Sequence, residues 1–142
     1  MTDIQLTTNF WLSEFLVSAS HPELEVLLQP TVRHICNLQR LCDLVLQPLR
    51  DHFDSAVTIN SGFRSSALNA AISGSSTSQH KLGEAADIVV AGKKASTVHQ
   101  WLLMNLAHEI CELWLYRYGE FCHVSIPSYT RPIKSEMGVI EK

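Results

Sequence analysis

The apolar positions of this chain follow two different rhythms. From Thr31 onward, Val32, Ile35, Leu38, Leu41, Cys42, Val45 and Leu49 recur at helical spacing, which predicts an amphipathic helix of several turns. Gln47-Pro48 should break or kink it, because proline lacks the amide hydrogen and its ring crowds the preceding turn. Upstream, Ser13 or Thr8 can cap a short helix through Glu14, Phe15, Leu16 and Val17, ended by His21-Pro22. Downstream the rhythm changes to short β-branched runs. Residues 56–60, 84–90, 110–118 and 121–126 read as strands, with a turn at Gly119. Residues 66–72 read as one or two helical turns, 73–78 as a polar loop, and Gly92-Lys93-Lys94 as a turn. Ser96 is expected to cap a helix through Val98, Trp101, Leu102, Asn105 and Leu106. From Pro127 to Lys142 the chain reads as loop and extended polar terminus. Helices first, then strands with one helix between, predict an α+β domain with a small, mainly antiparallel sheet.

Length supports one domain over residues 1–142, with a core over about 10–126 and a polar tail over 127–142. The net charge of −3 gives no electrostatic reason to expect nucleic acid as a partner. No run of about 18 apolar residues is present, so no membrane span is expected. The start, MTDIQLTTNF, lacks a basic n-region and an apolar h-region, so no secretory signal is expected. Synthesis in the cytoplasm follows, and action outside the cell would need release or another export route. Cys36, Cys42, Cys111 and Cys122 show no CxxC spacing and read as free thiols, not as metal ligands. His34 and His52 read as surface or partly buried residues.

The stretch SQHKLGEAADI, residues 78–88, holds the candidate chemistry. Asp87 stands at the start of an apolar run, and a carboxylate there needs a partner. With a period of two, Gly83, Ala85 and Asp87 share one face of a strand, and Ala86, Ile88 and Val90 the other. The second set should enter the core, and the small residues of the first leave space beside Asp87. His80, in the loop before the strand, can fold toward that space. In the last strand Cys122, Val124 and Ile126 form the apolar face, which leaves His123 on the opposite one. Two histidines and a carboxylate can form a three-ligand zinc site with an open fourth position, the catalytic arrangement. The alternative is a carboxylate satisfied by ordinary hydrogen bonds at a strand start.

The motif Ser78-x-His80-x-x-Gly83-x-Ala85-x-Asp87 resembles the signature of the zinc D-alanyl-D-alanine metallopeptidases, which share the hedgehog/D,D-peptidase fold. The flanks agree: Leu46-Gln47-Pro48-Leu49-Arg50, Ser61-Gly62-Phe63-Arg64-Ser65 and Leu68-Asn69 before it, Phe121-x-His123-Val124-Ser125 after it. The similarity runs from about Phe10 to Ser125. It implies one zinc ion per chain, held by His80, Asp87 and His123. It implies that Arg64 binds substrate and stabilises charge on the attacked carbonyl, a task suited to a guanidinium fork. Ser78 would hydrogen-bond near the site or support its loop. Relatives often carry the general base three positions before the final histidine, where Glu120 stands here. An odd offset puts Glu120 on the wrong face of a regular strand unless Gly119 breaks it, and Glu112 is the fallback. Cys122 and Arg117 depart from residues common in relatives. The implied activity is hydrolysis of peptidoglycan peptides by a monomer, as a D-Ala-D-Ala carboxypeptidase or a stem or cross-link endopeptidase. Small members of this kind are typical of bacteriophage, where they serve as endolysins. A zinc-binding recognition module of the same fold, or a phage structural protein, is the alternative.

Overall fold

The computed structural model describes residues 2–128 and 136–141. Its centre is a five-stranded sheet of order β3-β4-β6-β5-β7. The strands are β3 (Val57–Ser61), β4 (Ala85–Val90), β5 (Glu112–Tyr116), β6 (Phe121–Ser125) and β7 (Glu136–Ile140). All neighbours are antiparallel except β5 and β7. A two-stranded ribbon, β1 (Gln5–Thr7) and β2 (Phe10–Trp11), opens the chain. The helices are α1 (Val32–Leu41), α2 (Gln47–Phe53), α3 (Ser66–Ala71) and α4 (Ala95–Asn105). This is the mixed α+β architecture with a mainly antiparallel sheet that the order of elements predicts.

Helical periodicity holds except at its start, where Val32 is exposed and Ile35 only partly buried. Leu38, Leu41, Cys42, Val45, Leu46 and Leu49 are all fully buried in one continuous core with Ile88, Val124 and Leu113. Thr31 caps α1, its hydroxyl accepting from the His34 amide. The predicted kink takes the form of a π-helical segment, Cys42–Leu46, between α1 and α2. Pro48 then occupies the first turn of α2. A wider turn there accommodates a residue with no amide hydrogen and a ring that would strike the carbonyl four residues back.

Three local expectations need correcting. The first short helix is a 3₁₀ turn, Leu12–Phe15, which buries Leu12 and Phe15 and gives way before Val17. The helix expected to begin at Ser96 is α4, which starts at Ala95 with Lys94 as its N-cap, so Ser96 lies inside it and does not cap it. The polar tail is more than an extended terminus. Residues 136–140 form β7, paired in parallel register with β5 from Glu112↔Glu136 to Tyr116↔Ile140. Residues 129–135 and 142 of that tail lie outside the described residues. A half-exposed edge strand buries too few side chains to leave an alternating apolar signal, and EMGVI shows none.

Candidate metal centre and its cleft

The register of the sheet builds the site. Cα pairing runs Ser61↔Asp87, Asp87↔His123, Trp114↔His123 and Trp114↔Gly138, so one row crosses all five strands. Paired residues point to the same side. Ala86, Ile88, Cys122 and Val124 turn to the opposite side and are fully buried in the core. The alternation read from the sequence therefore holds, and it delivers Asp87 and His123 to the face away from α4.

His80 comes from a 3₁₀ turn, Gln79–Leu82, that folds over this face. Ser78 caps the turn, its hydroxyl accepting from the His80 amide at 3.3 Å. Gly83 closes the turn in the left-handed region (φ 74°), where a Cβ would stand 2.7 Å from the His34 carbonyl. Gln79 ties the turn to the sheet. Its amide nitrogen donates to the Ile126 carbonyl at 2.8 Å, and its oxygen accepts from the Ser125 hydroxyl at 2.7 Å. Both Gln79 and Ser125 are buried, so losing either would strand a polar partner. Sequence reading missed Gln79, and its only signal was its place beside His80.

Three donor atoms converge. His123 Nδ1 lies 2.9 Å from Asp87 Oδ1, His80 Nε2 lies 3.4 Å from the same oxygen, and the two nitrogens stand 3.3 Å apart. Donors bound to one tetrahedral zinc at 2.0–2.1 Å are separated by about 3.3 Å. His80 is oriented for this role. Its Nδ1 lies 2.7 Å from the Gly62 carbonyl, which can only accept, so Nδ1 carries the hydrogen and Nε2 keeps its lone pair. Burial pushes the His80 imidazole below its ordinary pKa, against the pull of Asp87. Burial also works against charge on Asp87. The imidazoles beside it, His80 first, prevail and hold the carboxyl well below the usual range. A neutral imidazole and a carboxylate are the forms a metal takes. Among the described residues, this is the one His/Cys/Asp/Glu group whose donors lie close enough to hold an ion.

Arg64 reaches the same place from the loop after β3. Its Nη2 lies 3.5 Å from Asp87 Oδ2, and its Nε donates to the Ser61 hydroxyl at 3.1 Å. The backbone amide of Arg64 donates to the His80 carbonyl at 3.0 Å, so the arginine and the ligand turn move as one unit.

The group sits in an open cleft of about 660 Å³, lined also by Ser78, Glu112, Trp114, Tyr116, Phe121 and Glu136. Glu112, Trp114 and Tyr116 alternate along β5 on the face that carries His123. Tyr116 and Phe121 stack with ring centroids 4.4 Å apart.

The two candidate bases part company. Glu112 lines the cleft, diagonal to His123. Glu120 does not. It adopts φ 54° in the β5–β6 turn, and its carboxylate accepts from the Ala95 amide at 3.4 Å. Ala95 belongs to α4, whose carbonyl also takes the Cys122 thiol at 3.3 Å, on the core side of β6. Glu120 thus faces the helix layer and not the metal row. Gly119 does break the strand, but toward α4. The departures noted in the sequence stay clear of the cleft. Burial, with Glu120 and Asp87 adding to it, pushes the Cys122 thiol up to about 12, and Arg117 pairs with Glu141 at 3.1 Å on the surface.

A mixed α+β domain that brings two histidines and an aspartate to one point, beside an arginine in an open cleft, has the make-up of a mononuclear metallohydrolase. Residues 8–125 match the family model Peptidase M15, and the chain belongs to that D-Ala-D-Ala carboxypeptidase-like family. No curated protein compared with the chain matches it. No helix of the described residues is long and apolar enough to cross a membrane.

Proposed function

We propose that this protein is a zinc-dependent peptidase of peptidoglycan peptides, cutting a D-Ala-D-Ala bond or a stem or cross-link bond. The observation that carries this reading is the donor triangle of His80, Asp87 and His123, sized for one tetrahedral ion and open to a cleft in a family of peptidases. These three residues would hold the zinc, which when bound supplies Lewis acidity and a water that ionises near neutral pH. Glu112 is the general base: its position in the cleft suits it to take the proton of the attacking water and hand it to the leaving amine. Arg64, steadied by Ser61 and Asp87, offers its remaining donors to the carbonyl oxygen as negative charge develops there. Ser78 keeps the His80 turn in place, and the aromatic wall of Trp114, Tyr116 and Phe121 gives the substrate a surface to lie on. One chain supplies every residue named, which suits action as a monomer. Work on the cell wall as a phage-encoded endolysin, reaching it by release at lysis, fits this chemistry.

The test is product analysis. Zinc-loaded protein incubated with purified muropeptides should yield new termini by mass spectrometry, and a chelator should abolish them. Absence of cleavage with one zinc bound per chain would overturn the enzyme reading in favour of a recognition module.

A further inference from the structure

The cleft has a wall that the family match does not include. The match ends at residue 125, and β7 begins at Glu136. Through its register with β5, β7 places Glu136 beside Glu112, Gly138 beside Trp114 and Ile140 beside Tyr116. Glu136 and Ile140 both line the cleft. The Trp114 ring leans onto this strand: a Cβ on Gly138 would stand 2.7 Å from Trp114 Cζ3. The indole therefore lies over Gly138, one strand repeat from Glu136.

Charge divides the cleft in two. Arg64 lies at the β3 and β4 side, with Asp87, and the other charged lining residues of the described chain, Glu112 and Glu136, lie at the β5 and β7 side. By strand spacing, Glu136 Cα is roughly 12 Å from His123 Cα, the reach of a long side chain on a residue next to the scissile bond. An exposed carboxylate beside an indole face is complementary to an ammonium group, which gains from both. A carboxylate there would meet like charge among the described residues, and a neutral branch would forgo the charge pair.

Resting on the peptidase reading above, we infer that β7 is the specificity wall of the cleft, and that Glu136, with Trp114, selects peptides bearing a protonated side-chain amine within a residue or two of the cleaved bond. Glu136 is a positioning residue in this scheme and takes no part in proton transfer.

The probes are two fluorescent stem-type peptides, identical except that a lysine ε-amine is free in one and acetylated in the other. Stopped-flow anisotropy on the zinc-loaded protein reads binding before cleavage, and product analysis of the same mixtures reads cleavage separately. The wild-type protein should bind the free amine about fivefold more tightly, an advantage of the size an exposed charge pair gives. Glu136→Gln should bring that ratio close to one. Glu136→Lys should reverse the charge preference and favour a third peptide, succinylated at the same amine. A wild-type ratio within twofold of one, or a ratio that survives Glu136→Gln, overturns the inference. The binding ratio stands or falls whether or not the peptides are cut, so failure of the peptidase reading would show in the products alone.

Discussion

The Nδ1 of His80 and the carbonyl oxygen of Gly62 stand 2.7 Å apart, and this contact decides which nitrogen of His80 faces Asp87 and His123. It costs the protein no charge and holds the ring in place before any ion arrives. His80→Ala removes one of the three proposed donors and should weaken zinc binding about 100-fold or more, above the loss expected for an outer partner, read by competition with a chromogenic chelator. Asp87→Asn keeps an oxygen but loses its charge, and should cost about 10- to 100-fold. Zinc held by His80→Ala at wild-type affinity would refute the site.

Glu112 and Glu120 are separated by the sheet itself. Glu112→Gln should retain zinc and lower kcat by about 10²- to 10⁴-fold, the range for losing a general base. Glu120→Gln should leave kcat within a few-fold. Its loss should appear in stability, by about 0.5–1 kcal/mol, because its carboxylate sits at the N-terminus of α4. Steady-state kinetics and urea unfolding on the two variants separate these roles. The reverse pattern would return the base to Glu120.

Arg64 holds Asp87 with one nitrogen and Ser61 with another, so its fork is set before substrate binds. Arg64→Lys preserves the charge and loses the fork. The expected result is a fall of about 100-fold in kcat/KM with zinc affinity changed less than tenfold. A kcat/KM within threefold of wild type would mean that Arg64 serves Asp87 alone.

The convergence of His80, Asp87 and His123 was legible because it rests on two local facts, the period of a strand and a short motif. Alternation along 84–90 and 121–126 sends Ala86, Ile88, Cys122 and Val124 inward, and Asp87 and His123 must then face the other way. Glu120 has the parity of Cys122, so plain alternation already sent it toward α4, and only the motif offset pointed it to the cleft. Glu112 needed tertiary information: its value depends on β5 lying beside β6 with Trp114 opposite His123. The strand β7 was illegible for a related reason. Its stability comes from hydrogen bonds to an existing edge, which many sequences can make.

Gly138 exists to admit Trp114. Gly138→Ala would set a methyl 2.7 Å from Trp114 Cζ3, so the indole must move. The expected cost is about 1–3 kcal/mol, as for other overpacked sites. In a Trp114→Ala background the same change should cost almost nothing, since the obstructing ring is gone. A double-mutant cycle by urea unfolding measures the coupling. Additive costs would show that the ring and the strand do not depend on each other.

His99, on α4, offers a pH-dependence that does not involve the donor triangle. Burial pushes its imidazole below the ordinary histidine value, against a hydrogen bond to the Gly138 backbone. Its buried Nε2 has no hydrogen-bond partner among the described residues, so a second proton would have nowhere to point. The sign follows from proton uptake. In the unfolded chain His99 protonates near pH 6.5, while the folded protein resists until lower pH. The unfolded state therefore binds more protons below that value, and stability falls as pH falls. Above it the contribution of His99 is fully present. Urea unfolding at pH 7.5 and 5.5 should show a smaller loss for His99→Gln than for the wild-type protein, both freed of metal. Equal losses in the two proteins would mean that His99 takes up its proton as readily folded as unfolded, and that its burial does not oppose the charge.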